Sequence, residues 1–369
     1  MQLDLTKGSV TKGMLMFALP MICSNLLQQL YNIVDTLIVG RFIGTGALAA
    51  VGSAYTLMTF IISILLGMCM GSGAIFSIRF GEKRWAHLRA NIFTSFVMIA
   101  FFSAVLNILS FVMIDAIMRF ISVPDEVYSL MREYLLVVFC GIFASFLYNF
   151  FASLLRAVGN SMMPLVFLGV SAVLNIALDL VFVLGFDMGV GGAALATVIS
   201  QWIAGAGMML YTLVKCPELR PQRKDMKITA AGLGEITGAS VLTCLQQSMM
   251  NLGILMVQGL VNSFGTAVMA AFAAAVKIDA FAYMPLQDFG NAFSTFTAQN
   301  YGAREEERIR KGIRSALCSM LIFSAVISTC VLIFAKPLLM IFIRGSETEI
   351  LSIGVTYLHV VGAFYFGIG

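Results

Sequence analysis

Two carboxylic acids sit in apolar stretches of this sequence, where an ion is most costly to hold. Asp179 lies in the run Asn175-Ile-Ala-Leu-Asp179-Leu-Val-Phe-Val-Leu. On a helix, Asn175 stands one turn below Asp179 on the same face. Asp35 lies in Asn32-Ile-Val-Asp35-Thr36, about 6 Å below the outer end of the first apolar stretch at the helical rise. Alone it reads equally well as an interfacial acid paired with Arg41. Asp179 is about 9 Å deep by the same measure. The glycine-rich turn over residues 185–192 sends the chain back, which brings Thr197 to a similar depth. Four oxygen-bearing side chains from three helices, Asp35, Asn175, Asp179 and Thr197, are therefore expected to converge. Acids at membrane depth mark ion or substrate paths. Oxygen donors suit hard cations such as Na⁺, and two clustered carboxylates also suit carriage of H⁺. The residue types support either coupling ion.

The elements that must position these groups are membrane helices. Of the 369 residues, 60% are hydrophobic and 11% charged, and mean hydropathy is +0.94. Such a chain cannot hide its apolar surface in a soluble core. Ten apolar stretches recur, near 14–39, 47–76, 91–114, 130–153, 163–185, 190–214, 235–261, 267–299, 312–335 and 350–369. The first, with Pro20 and polar residues beyond Ser24, reads as a retained span and not a cleaved signal. With the N-terminus inside, seventeen of the 23 Lys and Arg residues fall on the cytoplasmic side. Five fall outside (Arg41, Arg119, Arg132, Lys336, Arg344), and Lys277 lies within a span. The net charge of +4 thus reflects anchoring to an anionic leaflet and implies no nucleic-acid partner. The seven cysteines show no metal-ligand spacing, and His87 and His359 stand far apart. No phosphate loop, nucleophile elbow or His-Glu motif occurs, so the expectation is no enzyme, no cofactor and no metal apart from Na⁺ at the acids.

An internal repeat organises the spans. A shift of 221 residues aligns Gly44-Thr45 with Gly265-Thr266, Ala49-Ala50 with Ala270-Ala271, Gly81 with Gly302 and Arg89 with Arg310. Six spans separate equivalent points, so both halves cross in the same sense, as in two-lobed alternating-access carriers. The expected organisation is an N-lobe over 1–214, a cytoplasmic linker over 215–233 containing Pro217 and Pro221, and a C-lobe over 234–369. Further along, Tyr134-Leu135 aligns with Tyr357-Leu358 at a shift of 223, so residue 369 aligns with Phe146. The second lobe is therefore expected to be incomplete, with four spans of six, and the whole protein to have twelve. In the eighth span, Lys277, Phe281, Met284, Asp288, Asn291 and Thr295 follow helical spacing. They read either as a substrate-cavity wall or as a buried Lys277–Asp288 pair.

Leu19-Pro20, Asn32-Ile-Val-Asp35-Thr36, Gly44-Thr45 before Ala49-Ala50-Val51-Gly52, Arg156-Ala-Val-Gly159-Asn-Ser-Met-Met-Pro164, and Asn175-x-x-x-Asp179 before Gly189-Val-Gly-Gly-Ala-Ala-Leu-Ala-Thr197 occur in that order. In these motifs the chain resembles the multidrug and toxic compound extrusion (MATE) transporters of bacteria. The resemblance implies an all-α polytopic membrane protein of two homologous helical bundles forming an outward-open V. It implies export of cationic or amphipathic compounds in exchange for Na⁺ or H⁺ from a bacterial inner membrane, by a monomer in the lipid bilayer. It assigns Asp35, Asn175, Asp179 and Thr197 to cation coupling and Pro20 to a kink in the first helix. Some members carry an acid in the seventh span; here that span has none, which favours coupling in the N-lobe. A lipid or lipid-linked oligosaccharide flippase would need a more basic cavity than Lys277 alone provides, and a channel a filter loop or polar pore repeat.

Overall fold

The computed structural model describes the chain apart from residues 1, 2, 122, 124, 263, 265, 342, 344–346 and 369; Gly265, Arg344 and Gly369 of the sequence reading thus lie outside the described residues. Every regular element among the described residues is helical: α1 (Val10–Ile38), α2 (Thr45–Gly81), α3 (Trp85–Val112), α4 (Ile114–Phe120), α5 (Asp125–Phe139), α6 (Ile142–Ala157), α7 (Met162–Asp179), α8 (Gly189–Lys215), α9 (Ala230–Asn262), α10 (Thr266–Gly302), α11 (Glu306–Leu339), α12 (Thr348–Ala363) and α13 (Tyr365–Ile368). Helices satisfy their own backbone groups, which lipid cannot do. Two π-helical turns extend this set, Val39–Ile43 after α1 and Leu180–Gly185 after α7.

Of the ten stretches read as spans, seven form helices that, among the described residues, are long and apolar enough to cross a membrane. An eighth is the pair α5 and α6, bent by 47° at its break. The stretch near 235–261 forms the 33-residue α9, and the last stretch forms α12, whose 16 residues are fewer than the about 20 of a full crossing.

The chain forms two compact units. One comprises Met1–Asp4 and Cys23–Ser248; the other comprises Leu5–Ile22 and Met249–Gly369. Two helices are therefore shared. The first part of α1 belongs to the second unit, and the first part of α9 to the first. In α1 the change falls just after Pro20, which has no N–H for the carbonyl of Met16.

In the first unit, a core rich in phenylalanine joins α2, α3 and α6 through Phe76, Phe96, Phe146, Phe150 and Phe151. Phe76 and Phe150 meet edge to face with ring centres 6.0 Å apart, a geometry that adds to the apolar burial. Helix α9 approaches α2 more closely still. A Cβ added at Gly67 would lie 2.6 Å from Cys244 Cα, and one added at Gly71 would lie 2.6 Å from the Ala239 carbonyl oxygen. Small residues four apart let membrane helices meet backbone to backbone. Arg79, at the end of α2, donates to both carboxylate oxygens of Glu235 on α9, at 2.6 and 2.8 Å. The stretch between α8 and α9 is fastened to α3 by Arg89 Nε, which donates to the buried Asp225 at 2.6 Å.

The second unit has its own cores. Ala275, Ile278, Val331, Leu339 and Leu358 join α10, α11 and α12. Met14, Phe17 and Met21 of α1 pack on Phe289 and Phe296 of α10. Arg308 holds the segment before α1 by donating to the carbonyls of Leu5, Lys7 and Gly8 at 3.1, 3.2 and 2.9 Å.

Candidate functional site

Asp179 is the last residue of α7 and is wholly enclosed, at 0% exposure. Asn175, one turn earlier, is 1% exposed, and Thr197 on α8 is 8% exposed. With its amide nitrogen donating to Asp179 Oδ2 at 2.9 Å, Asn175 accepts on its oxygen from the Thr197 hydroxyl at 3.3 Å and the Thr197 backbone N–H at 3.1 Å. This orientation of the amide satisfies both of its ends. The return from α7 to α8 is tight, with the N–H of Met188 donating to the carbonyl of Phe182 at 2.9 Å and Asp187 and Gly189 in the left-handed region. That turn is why two helices adjacent in sequence present Asn175 and Thr197 to each other.

Asp35 reaches this group from α1, and its carboxyl lies within hydrogen-bonding reach of that of Asp179. Two carboxylates cannot bond to each other unless a proton or a cation stands between them. In each acid Oδ1 is buried with no hydrogen-bond partner. A pair of enclosed anionic oxygens without donors is an arrangement that a small cation completes, since buried charge is tolerated only when compensated. Both acids also adjoin the π turns: Asp179 immediately precedes one and Asp35 lies four residues before the other. The two turns pack against each other. Such widened turns interrupt the regular backbone ladder and recur at functional positions.

Two tyrosines complete the surroundings and were not singled out in the sequence. Tyr31 lies within hydrogen-bonding reach of Thr197 and close to both acids. Tyr134, buried in α5, is near enough to feel the charge of the same two carboxyls. Tyr31 precedes Asp35 by one helical turn, a spacing that could have flagged it. Tyr134 carries no such local signal, because its approach depends on how α5 packs.

The structure brings Asp35, Asn175, Asp179 and Thr197 together within one compact unit. The residues of the other candidate group, Lys277, Met284, Asp288 and Asn291, all lie on α10 in the second unit. Asp288 is buried, Lys277 exposed, and Met284 and Asn291 are intermediate. Pro20 is buried within α1, as its first unit boundary approaches.

Comparison with known proteins places this arrangement in a family. Residues 20–181 and 239–369 match the family model described as MatE. The chain is 28% identical over 368 residues to the probable multidrug resistance protein YpnP of Bacillus subtilis (strain 168), covering 99% of this chain and 81% of that protein. It is 29% identical over 350 residues to the probable multidrug resistance protein YoeA of the same strain, covering 93% and 76%. A solved structure of a MOP superfamily transporter from Pyrococcus furiosus shares the fold, with a TM-score of 0.91 at 22% identity over 99% of this chain and 81% of that one. The two stretches matching the model take in α2, α3, α10 and α11 and three of the four residues around the carboxyl pair, and on that match the chain belongs to the MatE family of membrane transporters.

Proposed function

We propose that the chain is a secondary transporter that exports cationic or amphipathic compounds in exchange for Na⁺ or H⁺ by alternating access, with Asp35, Asn175, Asp179 and Thr197 as its cation-coupling site. The observation that carries this reading is the contact between the carboxyls of Asp35 and the enclosed Asp179, each with one buried oxygen lacking a donor among the described residues. One cation cancels one of the pair's two negative charges and screens the repulsion between them, and removing it leaves two like charges pushed together in a low-dielectric setting. Cation occupancy thereby becomes a driving force for rearranging α1 against α7 and α8, which is the linkage an exchanger needs. The multidrug names of YpnP and YoeA support drug-like compounds as the exported class. The distribution of basic residues supports a cytoplasmic N-terminus in a bacterial inner membrane.

Ethidium efflux from cells expressing the full-length protein tests the coupling. Collapsing the gradient of the coupling ion, Na⁺ or H⁺, is expected to reduce efflux to the rate of cells lacking the protein, and collapsing the other to leave most of it. Efflux that persists with both gradients collapsed would exclude exchange.

A further inference from the structure

Within the second unit, a cavity of about 310 Å³ opens between the first part of α1 and helices α10 and α11. Leu15 and Leu19 of α1, Pro285 and Phe289 of α10, and Met320 and Phe323 of α11 line it. Its floor is closed, with Ala18 and Leu286 at 1% exposure, while Leu15, Leu19 and Phe323 are 40%, 61% and 41% exposed along its rim. In a membrane-spanning chain such a rim meets acyl chains, and no charged side chain lines the walls.

Charge sits at one end of this groove. The hydroxyls of Thr11 on α1 and Ser315 on α11 are 2.6 Å apart, which fixes the two helices side by side. Lys12 and Arg314 flank that contact, both exposed, and among the described residues neither is ion-paired. At the helical rise, Leu15 lies about 4 Å and Leu19 about 10 Å further along α1 from Lys12, and Met320 about 9 Å along α11 from Arg314. An anion held between the two cations would thus have an apolar slot running directly away from it.

We propose that this groove binds one anionic phospholipid, with its phosphate between Lys12 and Arg314 and an acyl chain between α1, α10 and α11. The apolar walls select a hydrocarbon chain, and the two unpaired cations select a headgroup carrying net negative charge over a zwitterionic one. The occupant fastens the first part of α1 to its neighbours beside Pro20 of α1 and Pro285 of α10.

Native mass spectrometry of the full-length protein titrated with phosphatidylglycerol or phosphatidylethanolamine tests this. The first phosphatidylglycerol is expected to bind at about tenfold lower concentration than phosphatidylethanolamine. The double variant Lys12→Gln/Arg314→Gln is expected to erase that preference. Lys224→Gln/Lys227→Gln, which removes equal charge from the exposed stretch before α9, is expected to keep it. Ser319→Phe, which fills the slot, is expected to weaken the first binding event for both lipids. Absence of a preference in the wild type, or its equal loss in the Lys224/Lys227 variant, would overturn the site in favour of general attraction to anionic lipid.

Discussion

Replacing Asp179 by Asn in the full-length protein is expected to abolish ethidium efflux, lowering the rate by about a hundredfold or more while expression and folding persist; Asp35→Asn is expected to do the same. The magnitude follows from what the side chains do together. Asn keeps the size of Asp and can still hydrogen-bond Asn175, so packing around α7 survives. It cannot carry a negative charge, however, and a site that held one cation between two acids then holds none at working concentrations. Losing one buried, directly facing charge partner costs about 3–5 kcal/mol, and each 1.4 kcal/mol is tenfold in an equilibrium. Thr197→Val removes one hydroxyl near the acids and is accordingly the milder change, for the carboxyl pair remains. Efflux undiminished in both Asn variants, measured at matched expression, would show that the carboxyl pair is not used for coupling.

The second large effect is structural. Gly71→Val is expected to lower the thermal midpoint of the purified protein strongly, with a cost of at least the about 1–3 kcal/mol typical of overpacking. The reason is that a Cβ at this position meets backbone atoms of Ala239 and Ser240, at 2.6 to 2.7 Å. Backbone cannot rotate aside as a side chain can. Helices α2 and α9 would have to separate, and the Arg79–Glu235 contact near the same pair of helices would open with them. Gly71→Ala is expected to act in the same direction. Gly52→Ala provides the contrast: it lies in the same helix with nothing within 4 Å of an added Cβ, so relief of glycine's conformational freedom should leave stability equal or raised by about 0.5–1 kcal/mol. Equal midpoints for Gly71→Ala and wild type would contradict the close crossing.

Much of the site was legible because its signals are local. Asn175 and Asp179 are one helical turn apart, and a glycine-rich turn forces Thr197 back beside them. The meeting with Asp35 is long-range, and only the cost of an unpartnered acid in an apolar helix pointed to it. Tyr134 was missed because nothing in its own neighbourhood marks it. The π turns after α1 and α7 were missed as well, since the residues around them read as ordinary apolar helix. At the level of the fold, hydropathy located the helices well. The sharing of α1 and α9 between compact units escaped it entirely: a hydropathy pattern gives a helix its length and not its neighbours.

In the proposed mechanism, Asp35 and Asp179 hold one cation between them. Infrared difference spectra of the carboxylic C=O stretch in the purified full-length protein test it most directly. If H⁺ is the coupling ion, lowering the pH should produce a band from one protonated carboxyl; if Na⁺ is, adding Na⁺ to the protonated protein should remove that band. In either case the band should vanish from the Asp35→Asn/Asp179→Asn double variant. A band that appears and responds in the double variant as it does in the wild type would contradict the account.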